Sequence, residues 1–514
     1  MIDTHPIDWR FYFRPGPWHS VRYGPDLPTS TSAALQTLTP DSAVLEPGGA
    51  WIPPVPDPER TLVVLARTDV QAMEPRAFAR MSADACLVVV NPPPRPRDGR
   101  VFGATDLAAA HTLSLKRIPL AGRRAVHYPA GNPRARRLVW ETVARPVSLR
   151  GKMARLGAIS SDISPIMLIR GETIQIHCPP NRLLPVAPEL VVLSNGMTES
   201  NPAILILTGS DTGPATLVKV PRSRERERTL AAEVRKLARF SKLQPGSHPR
   251  PLPIPAGVEW PGAAQTFVAG QMLSGHSAAE RPEIVYRTAS ALFDLDVASI
   301  RATRDGDVRP PDPRRFLASL VSVAIRNELL STEYGEEMRK LLDTLLRTPL
   351  KLVLCHRDAG AWNIVVRDGR HPHLVDWESA AWGLPGEDLI YLLLFLVYQE
   401  SGALAAGERV EVFRARFIEP SGRPTWLRET LLRLSRQLRM EGSTLQALVA
   451  MVLLRHANDQ YILTRYAAKK DALAEPFSAL LTIVIEGGAD PWSARRLAAT
   501  CARSSRTGST PRGR

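Results

Sequence analysis

The chain has 514 residues, of which 44% are hydrophobic and 23% are charged, so a wholly disordered chain is excluded. This length predicts roughly two to four domains. The 66 Lys and Arg residues exceed the 51 Asp and Glu residues, which gives a formal net charge of +15. The four cysteines lie far apart and form no Cys-x-x-Cys pair, which excludes a disulfide scaffold and a cysteine-based zinc site and fits a reducing compartment.

The positive charge is concentrated in two segments of the chain. Residues 95–155 carry 14 basic and 3 acidic residues, and residues 491–514 carry six arginines and no acid. Neither segment has the interleaved aromatic residues or the motif of a nucleic-acid-binding surface, so no nucleic-acid partner is expected. The second segment predicts a disordered basic tail at 491–514. The first predicts an exposed charged surface, with an anionic partner as the alternative.

The first part of the chain predicts a small α/β domain over residues 1–180. Strand-like runs at 61–66 and 86–90 flank a helical pattern at 70–81, an order typical of a parallel sheet. Consecutive prolines at 179 and 180 mark the end of this domain. The N-terminus has no basic start followed by an apolar run, so no signal peptide is expected.

Residues 163–176 add a predicted β-hairpin with Gly171 in its turn. The stretches ACLVVVNPP and LKRIPLAGRRAVHYPAGNP resemble the late half of a class I methyltransferase fold. No Gly-x-Gly-x-x-Gly sequence opens a helix after a first strand, so no S-adenosylmethionine site is predicted. The N-terminal part is therefore interpreted as an accessory domain.

A second pattern of elements begins near Pro188. It predicts three strands, a charged helix and a fourth strand, at 190–193, 203–207, 216–220, 224–240 and 266–268. Beyond these elements the chain predicts helices as far as about residue 486. The exception is the stretch 352–377, where short apolar runs are separated by turns.

The longest apolar run, at 389–398, has ten residues, whereas a helix needs about 20 to cross a bilayer. Acidic residues flank the run on both sides, which favours a buried core helix. We therefore expect no membrane insertion and a cytoplasmic protein. Asp388, just before the run, is expected to cap the helix.

The stretches LCHRDAGAWNIVV and LVDWE carry the most informative residues, because they place Asp358, Asn363 and Asp376 at spacings of 5 and 13. Phosphoryl transfer needs a carboxylate that orients the attacking hydroxyl and accepts its proton, together with oxygen ligands that hold Mg²⁺ against the phosphates. Apolar runs at 364–366 and 373–375 predict a hairpin that brings Asn363 and Asp376 together. Each of the three residues could alone be a turn residue, but their joint spacing favours this chemistry.

Matching residues lie upstream of these motifs. Lys219 lies in a strand whose alternate residues are apolar, so its charge needs a partner or a ligand. Glu233 follows on the next helix and could form an ion pair that aims the ammonium at phosphates. A solvated pair with basic neighbours on the same helix is the alternative for Glu233. Backbone N–H groups of Ser194, Asn195 and Gly196, between the first two strands, could cover phosphate oxygens.

Together, HRDAGAWN, VDWE, the strand lysine and the helix glutamate resemble the aminoglycoside phosphotransferase/choline kinase family of the protein-kinase-like superfamily. The resemblance covers about residues 185–485 and predicts a phosphotransferase domain at 185–490. It implies an α+β, two-lobed protein-kinase-like fold, with a small β-rich N-lobe and a mostly helical C-lobe. In this chain the small α/β domain precedes that fold.

The family also implies ATP as a substrate, Mg²⁺ as a cofactor, and roles for individual residues. Asp358 would be the catalytic base, and Asn363 and Asp376 would be the Mg²⁺ ligands. ATP would bind at a hinge placed at 265–270. The other residues assigned to ATP binding are Lys219, Glu233, Ser194, Asn195, Gly196, Phe267 and Val268. His356 is expected to order the catalytic loop, and Trp362 and Trp377 are interpreted as packing residues.

We therefore expect an ATP- and Mg²⁺-dependent phosphotransferase whose acceptor is a hydroxyl of a small molecule, such as a sugar, a nucleoside or an antibiotic. Residues 401–490 carry 12 basic and 10 acidic residues, a balance that disfavours a polycationic aminoglycoside. One alternative is a pseudokinase that binds nucleotide or a partner without turnover, because SNGMTES is not a Gly-x-Gly-x-x-Gly loop. A methyltransferase–kinase fusion is a second alternative.

Overall fold

The computed structural model describes sixteen ranges of the chain, which are 20–23, 43–45, 61–66, 86–90, 111–120, 124–142, 172–178, 186–194, 202–208, 215–221, 224–246, 248–258, 262–306, 308–403, 405–466 and 476–499. The chain divides into two compact units. The first comprises 1–235 and 250–269, and the second comprises 236–249 and 270–514.

The first unit contains a sheet to which the described residues contribute twelve strands. In chain order they are β1 (Ser20–Tyr23), β2 (Ala43–Leu45), β3 (Thr61–Ala66), β4 (Cys86–Val90), β5 (His111–Leu120), β6 (Arg124–Pro129), β7 (Glu172–Cys178), β8 (Leu190–Ser194), β9 (Ala203–Leu207), β10 (Thr216–Val220), β11 (Pro251–Leu252) and β12 (Ala263–Thr266). Their order in the sheet is β11-β12-β10-β9-β8-β6-β5-β7-β4-β3-β1-β2.

One end of this sheet is parallel and the rest is antiparallel. Strands β1, β2, β3 and β4 pair in parallel, as expected for strands joined by crossovers. The predicted strands at 61–66 and 86–90 are confirmed as β3 and β4, while the predicted helix at 70–81 lies outside the described residues. Of the predicted hairpin at 163–176, only the part within β7 is described.

The antiparallel part of the sheet crosses the boundary expected at residue 180. Strand β6 pairs with β8, with Val126 opposite Leu193. Helix α1 (Pro133–Thr142) packs on this region, where Val126, Val139 and Ile206 share one apolar cluster. Strands from both sides of the expected boundary therefore belong to one sheet.

Strands β8, β9 and β10 and helix α2 (Arg224–Leu243) confirm the predicted order of strands and charged helix. The fourth strand was predicted at 266–268 and is observed as β12, which ends at Thr266. The observed strand lies earlier than predicted because its pairing with β10 covers Ala263 to Thr266, with Thr266 opposite Thr216. Helix α2 begins in the first unit and ends in the second.

The second unit is mostly helical, so the chain as a whole mixes helix and sheet, as the α+β prediction requires. Its described helices are α3 (Pro282–Arg304), α4 (Pro313–Arg326), α5 (Thr332–Leu346), α6 (Glu387–Ser401), α7 (Ala406–Phe413), α8 (Thr425–Leu438), α9 (Ser443–Tyr466), α10 (Phe477–Glu486) and α11 (Ala494–Ala499). Its described strands are β13 (Gln271–Met272), β14 (Val353–Cys355), β15 (Ile364–Arg367), β16 (His371–Leu374) and β17 (Ala381–Gly383).

The ends of several helices follow from local sequence. The Asp312 carboxylate accepts a hydrogen bond of 2.8 Å from the Arg315 N–H, and Pro313 occupies the first turn of α4. The Ser331 hydroxyl accepts the Tyr334 N–H at the start of α5. Helix α6 ends at Gly402, whose φ of 67° suits the left-handed region.

Helix α6 confirms the prediction of a buried helix at 389–398, because its apolar residues lie in the core beside those of α9. Within the described part of the chain, no single helix has both the length and the apolar character needed to cross a membrane. Among the described residues, one pair of segments, 387–401 and 406–418, meets that requirement by length and composition when taken together, and the two are bent by 108°.

The predicted disordered tail at 491–514 is wrong for its first nine residues. A turn of helix at Asp490–Trp492 and helix α11 lie on the second unit, with Trp492 and Leu497 fully buried. The Gly442 N–H donates to the Trp492 carbonyl at 3.1 Å. The prediction failed because it was based on the arginine-rich composition and gave no weight to the two apolar side chains that pack on the unit. Residues 500–514 lie outside the described ranges.

We expect Trp492→Ala to lower the free energy of unfolding by about 3–5 kcal/mol, the usual cost of deleting a buried large aromatic side chain. Denaturant unfolding followed by circular dichroism measures the change. The matched control is Arg495→Ala, which removes an exposed side chain a few residues further on and should change stability by less than about 0.5 kcal/mol. Equally small effects of both substitutions would contradict the packing of this segment.

Candidate active site

Two short strand pairs of the second unit position the catalytic motifs. Strand β14 pairs with β17, and β15 pairs with β16 so that Ile364 lies opposite Leu374. This is the predicted hairpin, and it is confirmed. The Val375 N–H donates to the Asn363 carbonyl at 2.9 Å, which brings the segments before β15 and after β16 together. Asp358 and Asn363 lie in the loop between β14 and β15, and Asp376 follows β16.

Both oxygens of the Asp358 carboxylate have hydrogen-bond donors. The Asn363 side-chain amide donates to Oδ2 at 2.8 Å and to the Asp358 main-chain carbonyl at 2.9 Å. The Tyr391 hydroxyl, from α6, donates to Oδ1 at 3.3 Å. The carboxylate is therefore held in one orientation by two side chains from different elements.

Burial raises the pKa of Asp358 to about 7, and the nearby negative charge of Asp376 contributes to the rise. The hydrogen bonds from Tyr391 and Asn363 oppose it. A carboxyl group whose pKa lies near neutrality can accept and release a proton at physiological pH, which is the requirement for a general base. Such perturbed groups occur most often at functional sites.

The backbone of the catalytic loop is anchored by Asp388. Its carboxylate oxygens accept the N–H groups of His356 and Arg357, each at 2.7 Å. Arg357 has a φ of 68°, a left-handed conformation that is unfavourable for a residue with a side chain. Burial, followed by the charge of Glu387, raises the pKa of Asp388 to about 7. The prediction that Asp388 caps the helix is wrong, because Gly386 occupies the cap position.

Side-chain contacts with neighbouring segments also hold this loop in place. The His356 ring donates from Nε2 to the Val375 carbonyl at 2.8 Å, in agreement with its predicted ordering role. The Ser299 hydroxyl of α3 accepts the Leu354 N–H at 2.7 Å in the buried core. The Arg357 guanidinium pairs with Asp459 of α9.

Trp377 fixes the backbone beside Asp376. Its indole is fully buried against Phe240 and His248, at ring separations of 4.1 and 4.6 Å, and its N–H donates to the Leu374 carbonyl at 3.1 Å. Asp376 itself has a φ of 67°, so its backbone is held in the left-handed region. The prediction of Trp377 as a packing residue is confirmed. Trp362, given the same prediction, packs edge-on against Phe395 and is 41% exposed.

In the first unit the structure brings Lys219 and Glu233 together. The Lys219 Nζ lies 2.6 Å from Glu233 Oε1, and the two side chains are only 8% and 3% exposed. Glu233 therefore faces the buried lysine on β10 instead of forming a solvated pair along α2. A buried lysine held by a glutamate is the arrangement that aims an ammonium at phosphates.

The other residues predicted to bind nucleotide are less fully defined. Ser194 is the last residue of β8, and Asn195 and Gly196 lie outside the described residues. Phe267 and Val268 follow β12, and the Phe267 N–H donates to the Ala215 carbonyl at 2.9 Å. The Phe267 side chain packs against the apolar cluster that contains Val126, so it contacts the core of the first unit.

Asn363 and Asp376 fit the ligand chemistry of Mg²⁺. Because the Asn363 amide nitrogen donates to Asp358, its oxygen is the atom left to face a cation. Magnesium is usually bound by one or two protein oxygens together with waters and substrate phosphates. In the described part of the chain, no cluster of three His, Cys, Asp or Glu residues could hold a metal ion by itself.

Sequence reasoning missed the loop contacts that come from distant elements. Asp388 contacts residues 31 and 32 positions earlier, and Tyr391 contacts Asp358 across 33 positions. One usable signal was the pair Glu387 and Asp388 at the head of an apolar run. Buried carboxylates need partners, so such a pair indicates buried donors nearby.

Residues 192–428 match the family model described as "Phosphotransferase enzyme family". This match confirms the resemblance predicted from the catalytic motifs, and with it an enzyme of the phosphotransferase class. No curated protein matches the chain.

Several solved structures are similar to part of the chain. The apoenzyme of macrolide 2'-phosphotransferase MphH from Brachybacterium faecium is 15% identical over 57% of this chain and 91% of its own, with a TM-score of 0.38. A thermostable mutant of aminoglycoside phosphotransferase APH(4)-Ia, in complex with AMP-PNP and hygromycin B, is 14% identical over 59% and 94%, with a TM-score of 0.39. An ethanolamine kinase from Plasmodium vivax is 12% identical over 56% and 80%, with a TM-score of 0.35.

We expect Asp358→Asn to stabilise the metal-free protein at pH 8 but not at pH 4. The carboxyl has a pKa of about 7 when folded and an ordinary value of 3.8, so stability is lost as pH rises from about 4 to 7. One unit of pKa is about 1.4 kcal/mol, so the gain at pH 8 is at most about 4 kcal/mol.

Denaturant unfolding at both pH values measures this gain. The control is Asp343→Asn, which changes an exposed carboxylate on α5 and should give no gain that depends on pH. An equal gain from Asp358→Asn at both pH values would show that burial of the charge is not its cause.

Proposed function

We propose that this chain, whose residues 192–428 match the phosphotransferase family, transfers the γ-phosphate of ATP to a hydroxyl of a small molecule in the presence of Mg²⁺. The observation that carries the proposal is the Asp358 carboxylate. Its two oxygens are held by Asn363 and Tyr391, and its pKa is about 7. A fixed base of this kind suits the acceptance of a proton from an alcohol.

In the proposed reaction the acceptor hydroxyl donates a hydrogen bond to the Asp358 carboxylate. The hydroxyl oxygen forms a bond to the γ-phosphorus of ATP, and the bond between that phosphorus and the bridging oxygen breaks, so ADP leaves. The hydroxyl proton passes to Asp358 and then to solvent. The products are a phosphate ester, ADP and a proton.

Asn363 and Asp376 would supply the protein oxygens that hold Mg²⁺, which offsets phosphate charge when bound. Lys219 would contact the phosphates, and Glu233 would hold its ammonium in place, as their buried pair at 2.6 Å supports. Arg357 would take no part in transfer, because its guanidinium pairs with Asp459.

The proposal extends to the nucleotide contacts and to the organisation of the chain. Backbone N–H groups of Ser194, Asn195 and Gly196 would cover phosphate oxygens, and Phe267 and Val268 would contact the nucleotide. The phosphotransferase domain would have a two-lobed kinase-like fold at 185–490. The segment 1–180 would be an accessory region whose strands join the same sheet as β8, and a small-molecule hydroxyl compound would be the partner.

We expect ATP to raise the melting temperature of the wild-type protein only when Mg²⁺ is present. At a ligand concentration about 100 times Kd, binding stabilises the folded state by about 2.7 kcal/mol. Asp376→Ala should lose the Mg²⁺-dependent part of the shift, because one of two protein oxygens for the metal is removed. Thermal-shift titration with ATP, with and without Mg²⁺, measures both effects.

The control for this titration is Asp343→Ala, which removes an exposed helical carboxylate and should keep the full shift. The absence of any shift in the wild-type protein would contradict the proposal. A shift without turnover on any acceptor would instead favour the pseudokinase.

Asp358→Asn should lower kcat by about 10²–10⁴-fold while keeping the ATP-dependent thermal shift, because a carboxamide cannot accept the proton. In the wild-type protein, kcat/KM should fall as pH drops through about 7, since protonated Asp358 cannot act as a base. Formation of ADP with a panel of hydroxyl compounds measures both effects. Retained turnover in the variant would remove Asp358 from the role of base.

A further inference from the structure

An aromatic surface adjoins the catalytic base, and we name it the aromatic platform. It consists of Trp362, Tyr391 and Phe395, with Trp362 and Tyr391 each 4.7 Å from Phe395 between ring centroids. Two further rings, His456 and Phe477, extend the stack: His456 stacks on Tyr391 at 4.4 Å and on Phe477 at 5.3 Å. Tyr391 also donates to Asp358, so the platform begins at the base itself.

The Trp362 indole is held in place and yet remains open to solvent. A side chain on Gly360 would clash with the indole ring, so the ring lies directly over this glycine of the catalytic loop. The ring also meets Phe395 edge-on, at an interplanar angle of 83°. Despite these contacts, Trp362 is 41% exposed. A single exposed aromatic residue is ordinary, but a fixed one that continues a row of rings beside a catalytic base offers a binding surface.

The two basic side chains considered next to the platform, His456 and Arg357, leave little net positive charge there. Burial, with the charges of Arg455 and Arg357 adding to it, lowers the pKa of His456 to about 3, so this ring is neutral at physiological pH. The guanidinium of Arg357 is paired with Asp459. Apart from the carboxylates beside it, of which the proposed function assigns Asp358 to the base and Asp376 to Mg²⁺, the surface is therefore apolar and neutral, unlike the acidic pocket that a polycationic ligand would need.

We propose that the aromatic platform binds a flat apolar or aromatic ring of the acceptor while the acceptor hydroxyl lies at Asp358. The acceptor class is then an uncharged hydroxyl compound that carries such a ring. This inference rests on the proposed function, because it concerns the acceptor of the same reaction. Stacking on Trp362 positions the hydroxyl, and the transfer itself proceeds with the bond changes given above.

The experiment compares matched ligands that share a sugar but differ in the ring. Calorimetry measures the binding of phenyl and methyl β-D-glucoside, of uridine and ribose, and of choline, each with Mg²⁺ and a non-hydrolysable ATP analogue. We expect the ring-bearing member of at least one pair to bind at least tenfold more tightly. Trp362→Ala should abolish that preference, and Trp362→Phe should retain most of it. The control Val297→Ala removes an exposed apolar side chain on α3 and should change nothing.

Three results would overturn the inference. These are equal binding within both pairs, a preference that survives in Trp362→Ala, and tighter binding of choline than of any ring compound. The ATP- and Mg²⁺-dependent thermal shift is measured on the same samples. If the shift is present but no ring preference is found, the acceptor class is wrong and the proposed function stands. If the shift is absent in the wild-type protein, the proposed function itself fails.

Discussion

The catalytic loop depends on one buried carboxylate, that of Asp388, which accepts the N–H groups of His356 and Arg357 at 2.7 Å each. When Asp388 is ionised, hydrogen bonds to it are about twice as strong as neutral ones, and these two act on adjacent peptide units. They offset the strain of Arg357, whose left-handed φ costs about 1–3 kcal/mol. Because this residue directly precedes Asp358, the same contact fixes the backbone position of the proposed base.

Two further buried carboxylates, those of Asp296 and Glu387, lie near Asp388. Burial holds the pKa of Asp296 well above its usual value, and Asp296 accepts the Gly386 N–H at 2.8 Å. Glu387 is paired at 2.8 Å with Arg455, and both are buried. Helix α6 begins among these groups, and a helix N-terminus favours negative charge. One ion pair, several backbone donors and the helix N-terminus together offset the free-energy cost of burying these carboxylates.

Tyr391 connects the proposed base, Asp358, to the aromatic platform. One side of its ring stacks on His456, and its hydroxyl donates to Asp358. The proposed base and the aromatic platform therefore share a contact with Tyr391, so a ring bound on Trp362 would lie at a defined distance from the carboxylate. Tight positioning of the reacting groups is how enzymes of this class lower the barrier to phosphoryl transfer.

The sequence by itself determined the features that depend on local spacing. The hairpin around Asn363 and Asp376 follows from two short apolar runs, and the pairing of Lys219 with Glu233 follows from a strand joined directly to a helix. Only the tertiary structure decided which distant groups meet these elements. The contact of Asp388 with the loop spans about thirty residues, the Trp362 ring meets Phe395 of α6, and β6 pairs with β8 across the expected domain boundary. Periodicity reports the face that a residue occupies within its own element, whereas contacts between elements depend on packing that no local pattern encodes.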